Sequence, residues 1–304
     1  MILLPVSINI PVKGYLHHAH INSVVLGQCP KSYMWLNNLY LQVYFNRANK
    51  NTLLDFFTFQ YKFECLDTGY VRSFLLKKEL DIKETIEESI RNGFYITCLI
   101  DEFFVENMSA YKKRHFDHWC LIFGFDDQHY YCLGYLNDGK YQKFKLPKEK
   151  FVSVFIKKEY GLGLNSVKEN YAFNNNDEIA KALLQDYIYG VNTSEKYGLI
   201  TSRIEGTYGI NIYNDLIKET DNILDVRYAH ILLEHKYCVY RYLKKNFNYR
   251  IELIEKYKTI VSNCNSIKLL SIKQYASNDI NSNRRIKNLL NKTQEEEFNL
   301  LREL

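Results

Sequence analysis

Three side-chain types that together can move an acyl group occur in one order along this chain: a thiol at Cys29, an imidazole at His118, and an amide and a carboxylate at Asn137 and Asp138. In such a set the imidazole takes the thiol proton, the thiolate attacks an acyl carbonyl, and a thioester forms. The amide or carboxylate fixes the imidazole tautomer and steadies its charge. His118 opens the run Trp119-Cys120-Leu121-Ile122-Phe123-Gly124-Phe125, closed by Asp126-Asp127, and a second run follows from Tyr130 to Leu136. Two apolar runs separated by turn residues predict a hairpin. A turn centred on Asp127-Gln128 sets Asn137 opposite His118, and a bulge brings Asp138 there instead. Asn137-Asp138-Gly139 is also what a tight turn wants without any chemistry.

Cys29 precedes Pro30, a residue suited to the first helical position. Behind it Tyr33, Leu36, Tyr40, Val43 and Tyr44 recur at helical spacing. The reading predicts Cys29 at a helix N-cap, where the positive end of the dipole and unpaired N–H groups favour a thiolate. Backbone N–H groups there, with the Asn22 or Gln28 amide, are the candidate oxyanion hole. The plain alternative is that Cys29 fills space near a loop.

The elements that must position these groups follow from patterning. A helix is expected over Ile82 to Asn92, ended by Gly93, then a strand from Phe94 to Ile100 ending in Asp101-Glu102, and a basic loop over 103–114. A third strand over Lys140 to Leu146 follows the hairpin, and Phe151 to Ile156 is one more apolar stretch. Residues 52–72 carry aromatic runs around Phe56, Phe57 and Phe59, and 157–176 reads as a linker. Asn176 caps a helix stopped by Gly190, and helices are expected at 209–219, 225–246, 250–274 and 280–303. On that helical half Arg227, Glu234-His235-Lys236 and Glu295-Glu296-Glu297 read as solvated faces. The fold class is α+β, with one domain over 1–160 and a helical one over 161–304.

Composition narrows the classes. The 304 residues are 46% hydrophobic with net charge +5, so a folded core is expected and nucleic acid is not demanded. Basic groups are scattered among Lys112-Lys113-Arg114, Lys145 to Lys150 and Lys244-Lys245, and no nucleic-acid-binding module is recognisable. The seven cysteines have no metal-like spacing, which suits a reducing, cytoplasmic compartment. Met1 to Pro5 has neither a basic leader region nor the length of a membrane span. His17-His18-Ala19-His20 and His118 offer imidazoles, but no carboxylate or cysteine spacing accompanies them, and no metal or other cofactor is expected.

His118-Trp119-x-Leu121-Ile122-x-Gly124-Phe125-Asp126-Asp127 and its aromatic second strand resemble the histidine-bearing hairpin of papain-like cysteine peptidases. Within these the chain looks most like butirosin-type acyltransferase relatives and the closthioamide-type amide synthases of thiotemplated peptide-antibiotic pathways. Asp101-Glu102 after a strand and the segment Tyr208-Gly209-Ile210 add to the likeness, which is strongest over 94–146. The resemblance implies a papain-like domain followed by helices, with Cys29, His118 and Asp138 or Asn137 as the triad. It also implies an acyl or peptidyl chain carried on the phosphopantetheine of a carrier protein and passed to a small amine or diamine. Lys112 to Arg114 is then the expected dock for an acidic carrier protein. Hydrolysis by a peptidase or thioesterase is another outcome of the same chemistry. One departure matters: relatives place the cysteine at the start of the first helix after a glycine and a histidine, where this chain has His17-His18-Ala19-His20. Aligned so, the chain is a non-catalytic accessory module that binds a carrier protein on a degenerate protease-like fold.

Overall fold

The computed structural model describes residues 1–47, 53–56, 63–78, 81–155, 161–174, 176–197, 205–277, 279 and 281–304. In chain order it has β1 (Ile2–Leu3), α1 (Leu16–Gln28), a 3-10 turn at Pro30–Ser32, α2 (Tyr33–Asn38), β2 (Val43–Asn46) and β3 (Leu54–Phe56). Then come β4 (Leu66–Val71), α3 (Ser73–Lys78), α4 (Ile82–Arg91), β5 (Tyr95–Asp101), β6 (Asp117–Phe125), β7 (His129–Tyr135), β8 (Tyr141–Pro147), α5 (Lys148–Val154) and β9 (Leu162–Val167). The remainder is α6 (Asp177–Tyr189), β10 (Gly206–Tyr208), α7 (Ile212–Glu219), α8 (Val226–Asn246), α9 (Ile251–Ser277) and α10 (Asn281–Leu301). The chain is α+β, and it divides into one unit of residues 1–32 and 63–173 and another of 33–62 and 174–304.

The first unit is built on an antiparallel sheet in the order β4-β9-β5-β6-β7-β8, with β1 added beside β6. One face is covered by α4 and α5. Ile82, Ile86 and Ile90 form a stripe four residues apart, which lies on one side of a helix and packs on Ile96, Cys98, Ile122 and Cys132. Asp81 starts α4 by accepting from Lys83 and Glu84 N–H. A bulge between Ile122 and Gly124 breaks the β6–β7 register. Gly124 is required there, because a Cβ would lie 2.5 Å from the Ile2 carbonyl oxygen of β1.

The second unit is mainly helical, with a small antiparallel sheet in the order β10-β2-β3. The helices expected in the C-terminal half are present, and α6 ends on Gly190 at φ 64°. Its centre is ionic. Glu297 of α10 accepts from Lys236 of α8 at 2.8 Å, Tyr187 of α6 at 2.8 Å, Tyr213 of α7 at 3.0 Å and Tyr257 of α9 at 2.6 Å. Lys236 also donates to the Tyr187 hydroxyl and to His235 Nδ1, and His235 Nε2 donates to the Leu41 carbonyl. Lys236, His235 and Glu297 are fully buried, so none of them lies on the solvated face that the sequence suggests.

Other departures from the sequence reading are local. The aromatic stretch after Pro30 is helical only to Asn38; Val43-Tyr44-Phe45 then pairs as β2, as a β-branched and aromatic run does when a partner strand is at hand. The presumed linker contains β9, which pairs with β4 and β5, so the first unit extends to 173 rather than 160. Phe151, which opens the apolar stretch after Pro147, lies in the helix α5. Phe57, Phe59, Ile156, residues 157–160 and Asn175 lie outside the described residues.

Candidate functional site

The carboxyl end of β5 and the start of β6 hold His118 and the groups around it. Register sets Ile100 against His118 and Asp101 against Asp117, so the residue following β5, Glu102, reaches the imidazole. Glu102 Oε1 lies 2.6 Å from His118 Nδ1, with the carboxylate 2% and the imidazole 30% exposed. The other oxygen accepts from the Ser109 hydroxyl (3.2 Å) and the Ala110 N–H (3.4 Å). A buried carboxylate thus fixes a half-exposed imidazole and folds the 103–114 loop around itself. The neighbouring pair repeats the pattern: Asp101 accepts from His115 Nδ1 at 2.6 Å and from the Phe103 and Phe116 N–H groups. Burial pushes the Asp101 carboxyl up, but these three hydrogen bonds outweigh it and hold it below the usual range.

The expected orienters do something else. Leu121 faces Leu133 and Ile122 faces Cys132; continued toward the strand start, this register sets His118 against Leu136, not Asn137. Asp138 accepts from Lys140 N–H and from the Gln142 amide, and the Asn137 N–H donates to the Asn107 carbonyl. Both residues therefore serve the turn and its flank. Glu102 has the role given to them, and the signal for it was the Asp101-Glu102 pair at a strand end.

Nor does the structure bring Cys29 to His118. Cys29 is the C-cap of α1, its N–H closing on the Val25 carbonyl, while the Ser32 N–H and hydroxyl bind its own carbonyl. Next to it the Gln28 amide donates to the Tyr95 hydroxyl at 3.0 Å. Tyr95 begins β5 whereas His118 faces Ile100, five residues on, about 17 Å at strand rise. Gly27 confirms the placement: its Cβ would fall 2.1 Å from the Pro5 carbonyl oxygen, beside β1, which pairs at Gly124 and Phe125 at the far end of β6. Cys29 also ends a 13-residue helix, where the dipole is negative, so the argument for a favoured thiolate falls on the wrong terminus. Cys65, Cys98, Cys120 and Cys132 of this unit are all buried.

His20, on the second turn of α1, is near enough to His118 to feel its charge. His20 is buried, one ring N–H bonded to the Leu133 carbonyl; burial first, then the charge of His118, pushes its pKa down to about 3, with His17 adding to the effect. Around His118, Phe104, Phe116 and Trp119 are exposed, as are Lys112, Lys113 and Arg114, and Arg114 lies over the Phe116 ring. No helix among the described residues is long and apolar enough to cross a membrane. Comparison of the sequence with protein-family models and with curated proteins finds no match.

Proposed function

We propose that this chain is a papain-like domain without a working thiol, an accessory module that binds an acyl-loaded carrier protein rather than forming an enzyme thioester. The observation that carries the reading is the place of Cys29: it caps the C-terminus of α1 next to Gln28, which binds Tyr95 at the start of β5, while His118 pairs with Ile100 near the other end of that strand. The exposed basic loop beside exposed aromatic rings supports an acidic, partly apolar partner. The test incubates the protein with an acyl-N-acetylcysteamine thioester and, separately, with an acyl-loaded acidic carrier protein. Intact mass is expected to show no adduct. Carrier binding is expected to weaken with salt and with Lys112→Glu/Lys113→Glu/Arg114→Glu. An adduct that disappears in Cys29→Ala overturns the reading, and so does a carrier that does not bind.

The His118–Glu102 pair favours a second reading. An imidazole oriented by a buried carboxylate suits a general base, which binding alone does not need. In this reading His118 takes a proton from an amine as its nitrogen attacks a carrier thioester, and returns that proton to the departing thiol. Amide formation that survives Cys29→Ala and is lost in His118→Ala separates this reading from the first.

A further inference from the structure

The last strand of the first unit's sheet carries main-chain groups that the fold leaves unused. The register of β7 and β8 runs from His129 opposite Pro147 to Tyr135 opposite Tyr141. Beyond its two ends, the Leu136 N–H bonds the Lys140 carbonyl at 3.1 Å and the Lys148 N–H bonds the Gln128 carbonyl at 2.8 Å. Hydrogen-bonded pairs alternate along an antiparallel ladder, so Gln142, Phe144 and Leu146 turn their N–H and C=O groups toward β7. Lys143 and Lys145 turn theirs away from it. So does Pro147, whose missing donor is harmless on that side. β8 ends its sheet, and among the described residues no hydrogen bond reaches the outward main chain of Lys143 or Lys145.

The side chains sort by the same alternation. Phe144 and Leu146 lie on the face that packs against the core cluster under α4. Lys143 and Lys145 are exposed on the other face. Their ammonium groups are drawn back over the sheet: Lys143 Nζ lies 5.4 Å from the Phe123 ring of β6, and Lys145 Nζ 5.2 Å from the Tyr131 ring of β7. The lysines thus give the edge positive charge while reaching inward, over the two preceding strands, rather than across the outward N–H and C=O groups.

We infer that β8 is a docking edge for an extended acidic segment of a partner protein. The segment would add antiparallel as one more strand, with carboxylate side chains opposite Lys143 and Lys145 and an apolar residue between them, beside Phe144. Main-chain bonds to the two lysines supply affinity, and the alternate side chains supply specificity. Charge decides the occupant. A second copy pairing β8 with β8 would set lysine against lysine, whereas alternate carboxylates make opposite-charge pairs at the same two positions. Lysines on an edge can also serve only to keep other strands off it, and the experiment separates the two roles. Neither functional reading is needed for this inference.

The probe is the peptide acetyl-Glu-Val-Glu-Val-Glu-Val-Glu-amide, titrated into the isotope-labelled full chain and followed by NMR. Saturable shifts of the Lys143 and Lys145 amides are expected, with slower hydrogen exchange at both. Lys145→Pro removes an outward N–H that the fold does not use and should weaken binding about tenfold or more. Lys145→Gln keeps that N–H, loses the charge and should weaken binding less, about two- to threefold. In antiparallel pairing the glutamate N–H groups face β8, so the peptide N-methylated at its glutamates should bind about tenfold more weakly. That peptide carries the test if circular dichroism shows Lys145→Pro to be unfolded. No saturable shift up to about 1 mM peptide, or equal binding by folded Lys145→Pro or of the N-methylated peptide, overturns the proposal. Self-association of Lys143→Thr/Lys145→Thr beside a wild type that ignores the peptide would make the lysines edge protection alone, and overturns it as well.

Discussion

Glu297 is the sharpest place to perturb the second unit. Its carboxylate receives one ammonium and three phenol hydroxyls, all from side chains with no exposure. Burial raises the pKa of Tyr187, Tyr213 and Tyr257, so all three remain protonated donors. Removing one member of a buried ion pair costs about 3–5 kcal/mol, because the other charge stays behind without compensation. The two halves of this pair are not equivalent. Lys236→Met leaves a carboxylate still solvated by three hydroxyls, whereas Glu297→Gln leaves a buried ammonium with neutral neighbours alone: the Tyr187 hydroxyl, His235 Nδ1, the Tyr187 and Tyr213 rings and the new amide oxygen. Glu297→Gln should therefore fall at the upper end of that range and Lys236→Met at or below the lower. At roughly 2–4 °C per kcal/mol for a unit of this size, Glu297→Gln lowers Tm by about 10–20 °C. Lys236→Met/Glu297→Gln removes both charges and should cost less than the sum of the singles, with a coupling of about 2–3 kcal/mol. Urea unfolding of the four proteins gives the cycle. Singles costing under about 1 kcal/mol, or costs that simply add, would refute the account of the network as one mutually dependent cluster.

Acid should weaken the fold well above the carboxylate range. Burial, and then the Lys236 charge, hold His235 well below 6.5, while His20 is pushed down to about 3. Below about pH 6.5 the unfolded chain binds protons that the folded chain refuses, so stability is present above that pH and falls as pH drops, by about 1.4 kcal/mol per unit for each imidazole. Urea unfolding between pH 7.5 and 5 should show this slope, and His235→Asn should remove about half of it; a flat profile contradicts the burial argument. At the candidate site, Glu102→Ala strands the Ser109 hydroxyl, the Ala110 N–H and His118 together. Trypsin should then cut after Lys112, Lys113 or Arg114 several-fold faster than in the wild type, and an unchanged rate means that Glu102 does not hold the loop.

What the chain discloses before folding depends on the range of the signal. The helix that starts at Ile82, the hairpin that opens at His118 and the stop at Gly190 are each written in a window of a dozen residues, and each is where patterning expects it. The role of Glu102 is not local. It follows from the β5–β6 register, which only strand pairing sets, and Cys29 misleads because a proline start after it says nothing of the helix that ends on it.

The ionic centre was legible in part. On α10, Ile286, Leu290, Thr293, Glu297 and Leu301 are spaced four, three, four and four apart, so Glu297 stands where the buried stripe requires an apolar residue. On α8, Leu232, His235, Val239 and Tyr242 make a similar stripe, with Lys236 beside it. A carboxylate on the inner stripe of one helix is tolerable only if another helix brings donors to the same depth, and the tyrosines at 187, 213 and 257 occupy buried positions on theirs. Glu295-Glu296-Glu297 reads as surface when taken as a charge run; taken by phase, one of the three points inward, and its partners become a search over the other helices' inner faces.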